Sequence, residues 1–575
     1  MRIKKTISKN FEFYYIIKDV NRNGKRTTKI VEKLGKLNDI KNRANGEDPF
    51  VWLNNYVNKL TIKEKEGTRE IIKTYSPSKV IDKDNQNLFN GGYLFLQNIY
   101  YDLKINNICE DITNRYQFKF DLNSILSNLV YSRIIYPSSK LKTLELSKNY
   151  LEQPNFKYND ILRALEIIAN EFDFIQSELY KNSSKYSNRN NKVLYYDCTN
   201  FFFEIEEEDD FRKYGKSKEN RPNPIVQMGL FMDGDGIPMA LDITPGNTNE
   251  QVTLKPLEKK IIDDFDTSKF VVCTDAGLAS TTNRKFNNTN DRRFITTQSI
   301  KKLKDFLKEW ALDLTKGWKL YGSDKTYNIS KLREDDELIK SYYDKTFYKE
   351  RWIKEDGLEQ RLIVTFSVKY QEYQKHIRNN QVNRALKMIE SNPTKLGKVR
   401  QNDPKRFITT ISTTQNGEVA EERHYELNED TIKNEALYDG LYAVCTNLED
   451  SVEDIIKINH NRWEIEESFR IMKSEFKSRP VFLSREDRIK AHFITCFLAL
   501  VIFRYLEKKL DNKYTICEII ETLKNMNFLK NDDDYIPAYN RTDITDLLHN
   551  KFNFRTDYQI LPEKNIKKIF KQTKI

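Results

Sequence analysis

Three acids in this chain stand where they could hold divalent cations: Asp197, Asp275 and Glu466. The two aspartates each follow a strand-like apolar run, residues 193–196 and 269–274. Strand ends are where open α/β sheets place ligands. Three carboxylates offer only oxygen donors, which suits Mg2+ or Mn2+ and not zinc. Two such ions side by side can activate a water and stabilise a leaving 3′-oxygen, the chemistry of phosphodiester cleavage. Phosphoryl transfer asks mostly for positioning and charge neutralisation, so a sparse triad is enough. Taken singly, each aspartate also reads as a turn or cap residue.

Glu466 lies in a segment, 461–477, whose apolar residues Ile465, Phe469, Met472 and Phe476 recur at helical spacing. Arg462, Glu466, Arg470, Lys473 and Lys477 fall on one flank of that stripe. A helix built this way presents a metal-binding acid at the edge of the core, among cations, next to a polyanion. The competing reading is a helix laced by i,i+4 ion pairs, Arg462 to Glu466 and Glu466 to Arg470.

The elements that must position these residues change character along the chain. With 575 residues, 38% of them hydrophobic, the chain can fold into several domains. Its net charge of +11 is uneven: the first 50 residues hold 13 Lys/Arg against 6 Asp/Glu. A basic arm of this kind points to a nucleic-acid or anionic-surface partner, against the plainer reading of a solvated lysine-rich surface. Cys109, Cys198, Cys273, Cys445, Cys496 and Cys517 are scattered without a C-x-x-C pair, and the five histidines make no H-E-x-x-H. This argues against a zinc finger and a disulfide framework. The first residues lack the apolar core of a signal peptide, and the longest apolar run, 493–503, is too short to cross a bilayer. A reducing cytosol and no membrane partner are expected.

Residues 11–20 and 27–34 read as the arms of a hairpin, with Asn21-Arg22-Asn23-Gly24 as its turn. From 87 to 186 the pattern is helical. Asp121 precedes one helix running to Ile135, Pro137-Ser138-Ser139 breaks it and caps the next, and Tyr158-Asn159-Asp160 opens a third over 161–172. No diagnostic helix-turn-helix signal appears. Strands follow at 193–196, 225–232 and 237–243, then a helix at 256–265 with Pro256 in its first turn, and strands at 269–274 and 293–297. Three antiparallel strands followed by alternating helix and strand give a mixed α/β order. The acidic run 204–210 reads as a solvated loop, with a metal site as its second reading. Strand-like runs at 362–366, 407–412 and 441–446, with a helix at 382–390 among them, form a β-rich block before the segment carrying Glu466 and an apolar helix at 490–509.

Tyr196-Asp197-Cys198-Thr199 resembles the first catalytic strand of DDE transposases from bacterial insertion sequences, and Thr274-Asp275-Ala276-Gly277-Leu278-Ala279-Ser280 their second acidic block. Arg462, Glu466 and Lys473 resemble the third, the Tyr-x-x-Arg-x-x-x-Glu-x-x-x-x-x-x-Lys signature. Gly215-Lys216-Ser217-Lys218-Glu219-Asn220-Arg221-Pro222 and Pro245-Gly246-Asn247-Thr248-Asn249-Glu250 are also similar to that group. The likeness covers about 190–510. It implies an α/β, RNase H-like catalytic domain, a mixed sheet with flanking helices, interrupted by a β-rich insertion for which the 191 positions between Asp275 and Glu466 leave room. The implied division is a basic N-terminal hairpin region (1–80), a helical DNA-end-binding region (81–190), catalytic parts at 191–320 and 451–530, the insertion at 321–450 and a C-terminal extension (531–575).

The resemblance also implies roles. Asp197, Asp275 and Glu466 are the catalytic and metal-binding acids, for two Mg2+ or Mn2+ ions. Arg462 and Lys473 contact phosphates of the transposon end, with Arg470, Lys218 and Arg221 as further DNA contacts. Such contacts give salt-dependent affinity with little sequence information. Trp463 either packs against a neighbouring element or stacks on a displaced base. The signature tyrosine is missing: Asn459 stands there. The implied protein binds terminal inverted repeats and target DNA as a homodimer or larger synaptic complex, cuts at the ends and joins them to target. An RNase H-fold nuclease without strand transfer, and a catalytically silent DNA-binding relic, are the alternatives.

Overall fold

The computed structural model describes the chain apart from residues 9–10, 23–24, 68–76, 79, 81–82, 290, 333–335, 392–401 and 414–418. It forms two compact units, Met1–Asn85 and Gln86–Ile575.

In the first unit, β1 (Arg2–Ser8), β2 (Phe11–Arg22) and β3 (Lys25–Lys36) make an antiparallel sheet. The hairpin expected from sequence is β2–β3, paired from Phe13↔Lys36 to Arg22↔Lys25; turn residues Asn23 and Gly24 lie outside the described residues. β1 is an addition, because its charged residues hide the strand pattern. Alternation puts Tyr14 and Ile16 on one face, where they pack with Leu34, Ile40, Leu53 and Val57 from β3 and the helices Leu37–Ala44 and Pro49–Gly67.

The second unit begins with β4 (Leu88–Asn90) and a group of helices. Asp121 caps Leu122–Ile135 by accepting from the Ser124 amide at 2.9 Å, and Ser139 caps Lys140–Ser147 by accepting from Lys142, both as their sequence suggests. The next helix starts earlier than expected, at Tyr158, and ends at Asn170; the Asp160 carboxylate accepts from the Lys157 amide and fixes that start. These helices surround Glu486–Lys509. That helix is long and apolar enough to cross a membrane, but it is buried inside the protein as its central core element.

The main sheet carries β5 (Val193–Phe202), β6 (Ile225–Asp233), β7 (Pro238–Pro245), β8 (Val271–Thr274), β9 (Arg293–Thr297), β10 (Trp318–Leu320), β11 (Thr326–Tyr327), β12 (Thr346–Glu355) and β13 (Leu358–Ser367). A separate hairpin, β14 (Ile408–Thr413) and β15 (Val419–Leu427), precedes its last strand, β16 (Leu441–Thr446). The order is β11-β10-β12-β13-β16-β9-β8-β5-β6-β7. β8 runs parallel to both β5 and β9, and the other pairs are antiparallel, so the fold is mixed α/β. Apart from the β14–β15 hairpin, the strands of the β-rich block extend this one sheet, and a second apolar core under them joins Trp318, Phe347 and Phe366 to Leu307. Finally β17 (Asn527–Asn531), β18 (Asp534–Pro537) and β19 (Leu561–Pro562) form a further sheet in the order β19-β18-β17-β4, in which β17 pairs with β4 and ties the C-terminal segment to the start of the unit.

Three further helices depart from expectation. The helix after β7 is Glu250–Asp264, capped by Asn249, so Pro256 sits inside it and not in its first turn. The helix 382–390 begins instead at Val368, because the largely polar, exposed turns before it carry no apolar period. The segment 461–477 is not one helix. Its α-helical part is Trp463–Arg470, and a π-type turn, Ile471–Glu475, follows.

Candidate active site

β5 is buried along its whole length because the sheet is covered on both faces. Leu194, Tyr196 and Cys198 point into the layer with Leu254, while Val193, Tyr195 and Phe201 point into the layer that holds Ile465 and Phe469. Period-two alternation therefore puts Asp197 on the face of the Trp463–Arg470 helix. Asp197 stands inside β5 and not at a strand end as expected, because the strand runs on to Phe202 in its pairing with β6; the parallel pairing of Tyr196 with Thr274 sets it beside Asp275, which follows β8. Asp275 begins the turn after β8, and its carboxylate accepts from the Leu278 amide at 3.0 Å.

Asp197 is 9% exposed. Burial pushes its carboxyl up to about 6; Lys218 and Arg462 oppose this, and the nearby charge of Asp275 adds to it. The Lys218 ammonium is 4.0 Å from Asp197 and 3.5 Å from Glu250, and it donates to the Cys198 carbonyl. Lys473 is mostly buried beside Phe201, 5.4 Å from the ring centroid. Burial and Lys218 push Lys473 down to about 8, against the attraction of Asp197. Lys218, Arg462 and Lys473 thus all act on Asp197.

Glu466 is placed differently. Its side chain is 57% exposed and paired with Arg462 at 3.0 Å. Among the described residues no three of His, Cys, Asp and Glu are grouped so as to hold a metal ion. The charge of Asp275 acts on Asp197, and Arg462, one helical turn before Glu466, pairs with that carboxylate while its own charge also acts on Asp197.

The remaining basic residues divide. Glu219 accepts from Lys473 at 3.4 Å, pairs with Arg479 and lies 3.9 Å from Arg221, whose guanidinium covers the Phe202 ring. Arg470 is elsewhere. It pairs with Glu467 at 3.3 Å and not with Glu466, which corrects the second i,i+4 pair expected from sequence. Trp463 is 51% exposed, so the expected packing against a neighbouring element is not found. Asn459 is buried, and its amide donates to the Tyr442 hydroxyl at 2.8 Å. That hydroxyl is 2.7 Å from Thr297, so the position of the signature tyrosine is occupied by a link between β9 and β16. Sequence reasoning missed Glu219, Glu250 and Arg479. The two acids lie inside motifs that were read only for their basic and turn residues.

Residues 197–502 match the family described as Transposase DDE domain. The matched segment opens on Asp197 and takes in Asp275 and Glu466. No curated protein matches the chain. Among solved structures, the chain is similar to one described as a cryo-EM structure of a piggyBac transposase synaptic complex with hairpin DNA. The two are 9% identical with a TM-score of 0.36, over 76% of this chain and 80% of that one. The matched family segment takes in more than half of the sequence and both aspartates, and the chain belongs to the transposase DDE domain family.

Proposed function

We propose that the chain is a DNA transposase of the bacterial insertion-sequence kind, with an RNase H-like catalytic core, that cuts phosphodiester bonds at transposon ends and joins the freed 3′-ends to target DNA. The observation that carries this reading is the pair Asp197, inside β5, and Asp275, just past the end of the parallel strand β8, with Lys218, Arg462 and Lys473 around the first. The donor set fits a hard divalent cation. Two carboxylates supply only oxygen, and the like charges that raise Asp197 favour a cation between them. Asp197 and Asp275 would hold it, with Glu466 as a third ligand once released from Arg462. When bound, Mg2+ or Mn2+ supplies charge neutralisation at the scissile phosphate and its leaving oxygen.

The chain's own residues bind and orient the strand. Lys218, Arg462 and Lys473 take phosphate oxygens, with Arg221 further out along the same strip. Half-exposed Trp463 offers a ring to an unstacked base. The basic first 50 residues add sequence-independent affinity for duplex DNA. Two copies in a synaptic complex would supply one site per transposon end.

The Arg462–Glu466 pair favours a second reading, a DNA-binding protein that no longer cuts. Incubation with short end duplexes and Mg2+ separates the two. Cleavage followed by joining supports the transposase. Cleavage without joining supports a nuclease, and confirmed assembly on DNA without cleavage supports the silent binder.

A further inference from the structure

A cavity of about 270 Å3 lies beyond the turn that follows Glu466. Arg133, Ser139, Lys140, Lys477, Arg479 and His492 are among its polar lining, and no carboxylate is among the lining residues. Lys140 is 6% exposed, and its ammonium has no hydrogen-bond partner. Beside it Arg133, 4% exposed, donates to the carbonyls of Phe476 at 3.1 Å and Ser138 at 3.2 Å, while its Nε has no partner. His492 meets the Ser478 carbonyl at 3.1 Å, and burial holds it well below its ordinary value, so it is neutral. Burial, with Arg133 adding to it, pushes Lys140 down to about 7. Two buried neighbouring cations without a counter-charge are unfavourable in isolation. An anion in the cavity removes that penalty.

The shape of the cavity says which anion. Ser139 and Lys140 are the cap and first residue of the helix Lys140–Ser147, so that helix presents its amide end to the cavity. Exposed Leu141 and Phe482 are also among its lining, so the cavity reaches the surface. Arg479 belongs both to this lining and to the Glu219 cluster that holds Lys473, so the cavity adjoins the basic side of the aspartate site.

We propose that this cavity binds one phosphate group, with Lys140 as its charge partner and the amides of Lys140 and Leu141 as further donors. The phosphate belongs either to a DNA strand leaving the aspartate site or to free inorganic phosphate. The first source rests on the transposase reading; the phosphate chemistry does not.

The test uses the full chain. Inorganic phosphate is titrated by calorimetry against chloride at equal ionic strength, and binding of a short duplex is measured over a range of salt. Lys140→Met keeps the stem and removes the charge, and Lys140→Gln serves if the first variant does not fold. Phosphate is expected to bind the natural chain and to bind the variant at least about tenfold more weakly. A salt slope for DNA that falls by about 1 in the variant assigns the site to a strand phosphate. An unchanged slope assigns it to free phosphate and overturns the DNA source. Equal phosphate binding by both proteins, or none by either, overturns the proposal. Phosphate binding through Lys140 in a chain that does not bind DNA keeps the cavity and overturns the transposase reading.

Discussion

Arg462 holds the Glu466 carboxylate at 3.0 Å while its charge also acts on Asp197. One guanidinium therefore lies between the aspartate that ends its apolar run and the acid of the signature helix. In the proposed complex, phosphate oxygens compete with Glu466 for Arg462, and a strand that takes the arginine frees the carboxylate. Glu466→Gln is expected to lower cleavage of end duplexes at least about 100-fold, since charge at the reacting phosphate is the main catalytic term. Duplex affinity is expected to stay close to that of the natural chain. Cleavage at a comparable rate would remove Glu466 from the chemistry.

Lys473 is mostly buried and shares Glu219 with Arg479. In the proposed complex it exchanges that partner for a phosphate. Lys473→Ala is expected to weaken DNA binding evenly across sequences and to reduce the salt slope by about 1. Arg470→Ala, which removes only an exposed pair with Glu467, is expected to change the slope less. Equal slopes for the two variants would count against the separation of these residues drawn above.

Much of this was legible where the signal is local. Asp121 and Ser139 mark helix starts because a capping side chain answers to amides two or three residues on. Asp197 and Asp275 stand out because each follows an apolar run that a two-sided sheet requires. What escaped depends on distant partners. β1 needs β2 to be a strand. The break at Ile471 is invisible to a simple period, and the stripe Ile465, Phe469, Met472 and Phe476 is buried on both sides of it. The turn of Glu466 towards Arg462 is a choice of side-chain conformation, which spacing permits and does not decide. Glu219 gained its meaning only when folding brought Lys473 and Arg479 to it.

Stability carries its own pH signature at Glu258. This carboxyl is fully buried in Glu250–Asp264; one oxygen accepts from Asn287 at 3.0 Å and the other has no partner. Burial raises it from 4.5 to about 7, against the Asn287 bond and the charge of Arg292. Below the unfolded value both states are protonated and no penalty exists. As pH rises towards 7 the unfolded chain loses its proton first, so stability falls across that window. Glu258→Gln is expected to raise Tm at pH 8, by on the order of 2 kcal/mol in stability, and to flatten the decline between pH 5 and 7. An unchanged pH profile by calorimetry would show that Glu258 does not contribute.

The central claim is that Asp197 and Asp275 act together on one divalent cation. Mn2+ binding followed by electron paramagnetic resonance on the full chain, with Asp197→Asn and Asp275→Asn beside it, tests this without depending on DNA or turnover. Saturable binding by the natural chain, weakened at least about tenfold by either substitution, is the predicted result. Undiminished Mn2+ affinity in both variants, with the fold intact, would contradict it.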